Sequence, residues 1–472
     1  MSKNKYNTLL SNTLLISMGT FGSKILVFLM VRFYTGYLTP SDYSTADLIT
    51  QTANLLFPII SVGIADGVFR FVMDSESDKK SVLSIGFLCI TVGALAFVGI
   101  VPLLSFIEDF KGYIWLIVVY TLASCYHSLC VYYLRGVGKT ALFALQGIIN
   151  TALVIILNIL FLAVFGMGIT GYVLSVVLAD TLSTLFLVIK EKMWRDFTLH
   201  PKKGLLKPML KYSIPLIPTT IFWWITSVSN RYMVNEIIGS EANGLYTVAY
   251  KLPTIITLVS TMFMQAWQYS AVAEDEGNKE EHAKFFGTVW RSFQAVMFLA
   301  AGGIIAFTKV AIKLLTAEKF YESWKYVPFL CIAMVFTAFA SFTGTVYTLN
   351  KNSMMSFLTA FIGASSNIIL NLVLIPTLGV QGAAIATVAS YLIVFIVRCV
   401  SVKRYIPFRL YTGHLIINTI ILFIQAGAIL YQKSYWVVVE AVCIIALFII
   451  NYKFLKGFIE KILSALLKRK GA

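Results

Sequence analysis

Charge is scarce in this sequence. Asp, Glu, Lys and Arg make up 13% of its 472 residues, against ~25% in soluble domains. With 58% of residues hydrophobic, no soluble core could absorb the apolar remainder. Histidine is also sparse. His127, His200, His282 and His414 lie far apart and suggest no metal or catalytic cluster. Six cysteines (Cys89, Cys125, Cys130, Cys331, Cys399 and Cys443) sit singly in apolar surroundings, and no C-x-x-C pair occurs. They read as small buried hydrophobes rather than disulfides or metal ligands. There is no H-E-x-x-H and no nucleophile elbow. RGVGKT (135–140) echoes a phosphate loop, but Tyr133 stands where its first glycine must be. The expectation is no cofactor, no metal, no ATPase and no enzyme. After the basic start MSKNK no small-x-small cleavage site appears, and the apolar run continues past Lys24 to Tyr34. That describes an uncleaved first membrane helix.

Long apolar runs are what the chain has in abundance, with a mean hydropathy of +0.81. A spanning helix needs ~20 such residues. Fourteen segments qualify: 9–37, 44–73, 82–107, 112–135, 141–166, 169–190, 209–238, 245–273, 284–308, 325–349, 353–376, 380–404, 411–431 and 435–457. The fold class is all-α and polytopic, with short connections. The net charge of +16 sits mostly between the spans, which suits cytoplasmic loops and not nucleic acid. With the N-terminus inside, inner segments hold 27 basic residues and outer ones 6. Both termini are therefore expected in the cytoplasm. One loop disagrees, 308–325, with four lysines on the expected outside. It reads as an interfacial helix with snorkelling lysines. The tail from Lys453 reads as a basic amphipathic helix on the inner leaflet.

The chain looks duplicated. Asn158 precedes Gly166 by eight residues, and Asn371 precedes Gly379 by eight. RFYTGYLTPSDYS after helix 1 resembles RYMVNEIIGSEANG after helix 7, which aligns Arg32 with Arg231. The expected organisation is an N-terminal six-helix lobe (1–195), a basic linker (196–208), a C-terminal six-helix lobe (209–404), and helices 13 and 14 with a basic tail (405–472). Repeated halves with a site between them are a transporter architecture.

Several charges fall inside these spans, where each is expensive and marks a function by default. Helix 1 carries Lys24 and Arg32, eight residues apart and able to share a face. Helix 7 carries Arg231 and helix 8 Lys251. If these helices face one another across the repeat, they build a cationic cavity, and the anion too large for a channel is a phosphate or diphosphate head group. Arg32, Arg231 and Lys251 could instead snorkel to the outer head groups. Asp66 and Arg70 are spaced for an intrahelical pair. They, Asp180 and Gln265 are candidates for support or ion coupling, and Gln265 could equally tie helices together. Pro215, Pro218 and Pro253 interrupt helices 7 and 8. Broken helices are tolerated where backbone lines a cavity, and these breaks are candidate hinges. Trp223 and Trp224 could stack on sugars or simply pack.

LLKPMLKYSIPLIPTTIFWW, SNRYMV, IIGSEANGLYTVAYKLP and MQAWQYSAV, with FGMGITGYV and NLVLIPTLGVQGAAIAT, resemble the polysaccharide-transporter flippase branch of the multidrug/oligosaccharidyl-lipid/polysaccharide exporter superfamily. The likeness covers essentially the whole chain. Where that family carries an acid before the helix 7 arginine, this chain has Asn230. The resemblance implies a flippase that moves undecaprenyl-diphosphate-linked oligosaccharide from inner to outer leaflet by alternating access. It implies a bacterial cytoplasmic membrane, a monomer, and pathway partners such as a polysaccharide polymerase and glycosyltransferases. Alternatives are a flippase for lipid II or a teichoic-type precursor, and a multidrug cation exporter. The exporter would need cavity carboxylates, whereas the central charges here are basic. A membrane polymerase or ligase would carry a long outer loop with acids or histidines, and none is present.

Overall fold

The computed structural model describes residues 26, 28–74, 77–104, 112–198, 200–202, 204–273, 279–349, 352–432 and 434–470. Among them every regular element is helical. Among the described residues nine helices are each long and apolar enough to cross a membrane, and two further bent pairs qualify if each counts as one span. The chain is a polytopic all-α membrane protein, and its elements follow the order of the expected segments. Contacts divide it into two compact units, Met1–Trp224 and Ile225–Ala472.

In the first unit, residues 28–37 form α1 and Pro40–Ile60 form α2. The sequence LTPSD sets the boundary. Thr39 Oγ1 accepts from the Asp42 amide, and Asp42 Oδ2 accepts from the Thr39 amide, both at 3.1 Å. Pro40 begins the helix where no N–H is needed.

The second expected span is not one helix. α3 (Ile64–Val72) leaves α2 at 57°. Pro58 removes one backbone donor near the end of α2. Val62 and Gly63 then take left-handed backbones, with φ +52 and +60. A branched residue there is strained by roughly 1–3 kcal/mol, so packing must hold the bend. It does so through glycine. A Cβ on Gly93 of α4 (Lys79–Leu104) would lie 2.0 Å from the Ile60 carbonyl oxygen. On Gly63 it would lie 3.2 Å from that of Ser213, in α8 (Leu206–Ser213). Small residues let these backbones meet.

α5 (Ile114–Gly136) packs against α2, α3, α4 and α7 (Gly168–Glu191). α6 (Thr140–Asn158) runs on through a π-helical turn, Ile159–Val164, and lies on α7. The basic linker is pinned to the start of α4. Thr198 and Lys202 amides donate to Ser84 and Ser81 Oγ, each at 2.8 Å, and Lys80 Nζ donates to the Arg195 carbonyl at 3.0 Å. Asp78 accepts from Ser81 Oγ at 2.7 Å and from the Lys80 amide at 3.2 Å. The Ser81 hydroxyl, more than any other neighbour, holds its carboxyl below the ordinary value.

α9 (Leu216–Ile237) carries the division between the units. The second unit continues with α10 (Ser240–Ala249), α11 (Thr254–Ala273), α12 (Lys279–Leu315), α13 (Val327–Leu349), α14 (Ser353–Leu378), α15 (Val380–Val402), α16 (Thr412–Tyr431) and α17 (Trp436–Lys470). α13 is its centre, packed against α11, α12, α15 and α16. Trp290, Phe293, Phe339 and Phe395 stack there in edge and tilted pairs. α16 and α17 pack on α12. Asn451 Nδ2 donates to Asn418 Oδ1 at 2.8 Å, and Gln425 Nε2 donates to Glu440 Oε2 at 2.9 Å.

Within 308–325, α12 runs on to Leu315 and a 3-10 turn covers Glu318–Lys325. Lys309 Nζ lies 4.5 Å from the centre of the Trp324 ring and 4.8 Å from that of Trp436. Lys325 pairs with Glu322, whose carboxylate holds it above the usual lysine value. Ring faces and an acid receive these two lysines.

Candidate functional site

Arg231 is the most enclosed of the three candidate cations among the described residues. α9 carries it inward with 8% of its surface exposed, and its guanidinium lies 5.2 Å from the centre of the Tyr250 ring. An aromatic face offers partial negative charge without a proton to exchange. Tyr250 ends α10. Lys251 and Pro253 form the turn that follows, and α11 departs from it at 43°. Lys251 is half-buried in that turn. Pro215 occupies the break between α8 and α9, and Pro218 lies in the first turn of α9, where a missing donor costs least.

Beside Arg231 is a buried amide network that sequence reasoning missed. Asn230 Nδ2 donates to Thr387 Oγ1 at 2.7 Å and to Tyr246 OH at 3.2 Å. Asn371 Nδ2 donates to Asn230 Oδ1 and, at 2.9 Å, to Asn367 Oδ1. The position before the arginine is therefore occupied by an uncharged hub that ties α9, α10, α14 and α15 together. Asn367 and Asn371, four apart in an apolar span, were the available signal, since that spacing puts both on one helix face.

In the first unit Arg32 is exposed on α1. Lys24 lies outside the described residues, as does the side chain of Gln265, whose backbone belongs to α11. The Asp66–Arg70 spacing does not produce an ion pair. Both residues are exposed on α3, and no salt bridge joins them. Asp180 is buried at the centre of a network. It accepts from Ser124 Oγ at 3.0 Å and from Asn150 Nδ2 at 2.9 Å, and His127 Nδ1 lies 3.4 Å away. Gln146 Nε2 reaches the other side of the same ring, 2.6 Å from His127 Nε2, and donates to Ser183 Oγ at 2.9 Å. An amide nitrogen only donates. As placed, His127 therefore accepts at Nε2 and carries its proton at Nδ1, toward Asp180.

The family model described as "Polysaccharide biosynthesis protein" matches residues 9–268. The chain belongs to this polysaccharide biosynthesis family. The lipid II flippase MurJ, in an inward closed conformation, shares its fold at a TM-score of 0.70 and 17% identity, covering 95% of this chain and 100% of that one. An inward-facing multidrug resistance MATE transporter of the MOP superfamily aligns at 0.64 and 14%, covering 81% and 95%. A MOP superfamily transporter from Pyrococcus furiosus, described as having a binding pocket of reverse polarity, aligns at 0.58 and 14%, covering 83% and 94%. At such identities the likeness establishes the fold. No curated protein matches the chain in sequence. Family and fold together describe a polysaccharide biosynthesis protein built on the fold that MurJ and the MATE transporters share.

Two further features of this family member went unread in the sequence. Arg398, near the end of the expected 380–404 span, is 4% exposed within α15. Its Nε and Nη2 donate to Thr359 Oγ1 at 3.1 and 2.9 Å, and Nη1 donates to the Ala340 carbonyl at 2.6 Å. It fastens α13 and α14 to α15. Between α11 and α13 lies a crevice of about 240 Å³ lined by Thr257, Ser260, Thr261, Thr337 and Ser341. Thr257 donates to Met334 Sδ, and Thr261, Thr337 and Ser341 donate to carbonyls of their own helices, so these hydroxyls offer uncharged acceptors, beside Met264, Met334 and Ala338.

Proposed function

We propose that this polysaccharide biosynthesis protein flips an undecaprenyl-diphosphate-linked oligosaccharide, a repeat unit of a cell-surface polysaccharide, from the inner to the outer leaflet of the bacterial cytoplasmic membrane. The observation that carries this reading is Arg231, a guanidinium set 8% exposed in an apolar span. A planar fork of donors suits a phosphate oxygen pair better than any cation or neutral drug. Lys24, Arg32 and Lys251 supply further positive charge to the diphosphate during transit. The hydroxyl-lined crevice supports a sugar cargo, because sugar hydroxyls can donate to its acceptors. The breaks at Pro215 and Pro253, with Pro218 beside the first, absorb the backbone rotation of alternating access. Asp66, Arg70, Asp180 and Gln265 are the residues to test for ion coupling. Both termini face the cytoplasm, the protein acts as a monomer, and glycosyltransferases and a polymerase of the same pathway supply and consume its cargo.

The test uses proteoliposomes holding the purified protein and a fluorescent lipid-diphosphate oligosaccharide. Accelerated loss of the label to an outer-leaflet quencher is expected. Flipping no faster than in protein-free vesicles, together with extrusion of a cationic dye, would replace this reading with drug export.

A further inference from the structure

α16 opens with its positive pole uncovered. Tyr411 caps it from a left-handed backbone, φ +50, and gives no side-chain hydrogen bond. The first bond across this end runs from the Leu415 amide to the Tyr411 carbonyl at 3.2 Å, so the amides of Thr412, Gly413 and His414 project from the helix end. Beside them is a cavity of about 490 Å³ lined by Arg291, Lys403, Arg409, Tyr411 and His414. No acidic residue is among the described residues that line it.

Two of the cations rest on aromatic rings. The Arg291 guanidinium lies 3.5 Å from the centre of the Phe454 ring and 4.5 Å from that of Tyr411, with Nη2 3.3 Å from His414 Nε2. Its Nε is buried and has no hydrogen-bond acceptor. Arg409 lies 5.0 Å from the same Tyr411 ring. Trp290 Nε1 and Gln294 Nε2 donate to the Leu410 carbonyl at 2.9 and 3.0 Å, which anchors the loop to α12. Two ring-held arginines, Lys403 on the same rim and a helix N-terminus without a counter-charge make a site for an anion of more than one negative oxygen, a phosphate group.

The phosphate could be dissolved or carried on a lipid. Below Thr412 the exposed face of α16 continues as Ile416, Ile417, Ile420, Phe423 and Ile424, each between 40% and 54% exposed. This apolar strip begins one turn along α16 from Thr412, which lines the cavity, so an amphiphile uses both and a dissolved ion only one. We propose that the cavity binds the phosphate of an anionic membrane phospholipid whose acyl chains lie along α16. Basic pockets between membrane helices act in this way at anionic leaflets. The site belongs to the C-terminal unit alone and does not depend on the cargo that is flipped.

The experiment is native mass spectrometry of the full-length protein in detergent, with phosphatidylglycerol or phosphatidylcholine added. Preferential retention of phosphatidylglycerol is expected. Arg409→Gln and Lys403→Gln should each weaken it about fivefold, and the double variant should weaken it further. These two side chains are exposed, so the variants spare the packing around Arg291. Lys313→Gln, near the other end of α12, should leave retention unchanged. Equal retention of both lipids, or wild-type retention by the double variant, would overturn the site. Displacement of the lipid by millimolar inorganic phosphate would overturn the lipid assignment in favour of a dissolved anion.

Discussion

Arg231 and Asp180 are both buried charges, and their surroundings ask different things of them. Arg231 rests on an aromatic face beside an uncharged amide hub. Arg231→Ala is expected to cut flipping roughly 10–100-fold, the value of one or two charge-assisted bonds, without loss of membrane insertion. Arg231→Lys should recover part of it, because a fork becomes a point charge. Lys24→Ala should behave like Arg231→Ala. Complementation of polysaccharide export with each variant checks this, and full export by both alanine variants would remove the two residues from substrate binding. Asp180 instead gathers donors from Ser124 and Asn150 and faces His127. Asp180→Ala strands them in the unit's interior and should cost about 2–4 kcal/mol of stability, read as a lower thermal midpoint. Asp180→Asn that still folds should flip with altered dependence on pH or sodium. An unchanged dependence would leave Asp180 a structural hub.

At the scale of elements, the second span of each unit is broken, at 57° between α2 and α3 and at 43° between α10 and α11. The sequence announced only the second, through Pro253. The first was hidden, because Pro58 sits inside a helix that continues for two more residues and the strained pair is Val62–Gly63. Valine carries no turn signal, and the bend exists because α4 and α8 press backbone against it. Gly93→Ala should therefore destabilise the protein by about 2–3 kcal/mol, since its Cβ would sit 2.0 Å from the Ile60 oxygen. Gly99→Ala on the same helix, with nothing within 4 Å, should be neutral or slightly stabilising. Thermal unfolding of the two variants in one detergent separates them, and equal midpoints would show that α4 does not clamp the break.

For the whole molecule, the proposed direction of transport couples to the membrane potential. A diphosphate diester carries about two negative charges, and each charge crossing 100 mV is worth ~2.3 kcal/mol. Leaving an inside-negative cell thus gains roughly 4–5 kcal/mol, if the protein's own cations do not travel with the cargo. Flipping in vesicles clamped by potassium diffusion should accelerate when the side from which the lipid departs is negative. Indifference to the sign and size of the potential would leave exchange or ion coupling as the driver. The proposed topology is checked by cysteines placed in 190–211 and in the tail beyond Lys453. Impermeant reagents applied to intact cells should spare both.

Class and order of spans were legible in the sequence because each follows from local composition, and the family was legible through the resemblance of its motifs. Twenty apolar residues make a spanning helix wherever they occur. The repeated Asn-to-Gly spacing is likewise local, and both of its glycines, Gly166 and Gly379, take left-handed backbones at φ +62 and +61. Periodicity also says which residues share a helix face, as Gln146 and Asn150 do. It cannot say which other face they meet. That His127 lies between Gln146 and Asp180, that Arg398 is a fastener within α15, and that a valine can turn left-handed beneath a glycine were decided by packing among helices distant in sequence. A buried polar group is stable only when its partner is at hand, and only the tertiary structure brings that partner to it.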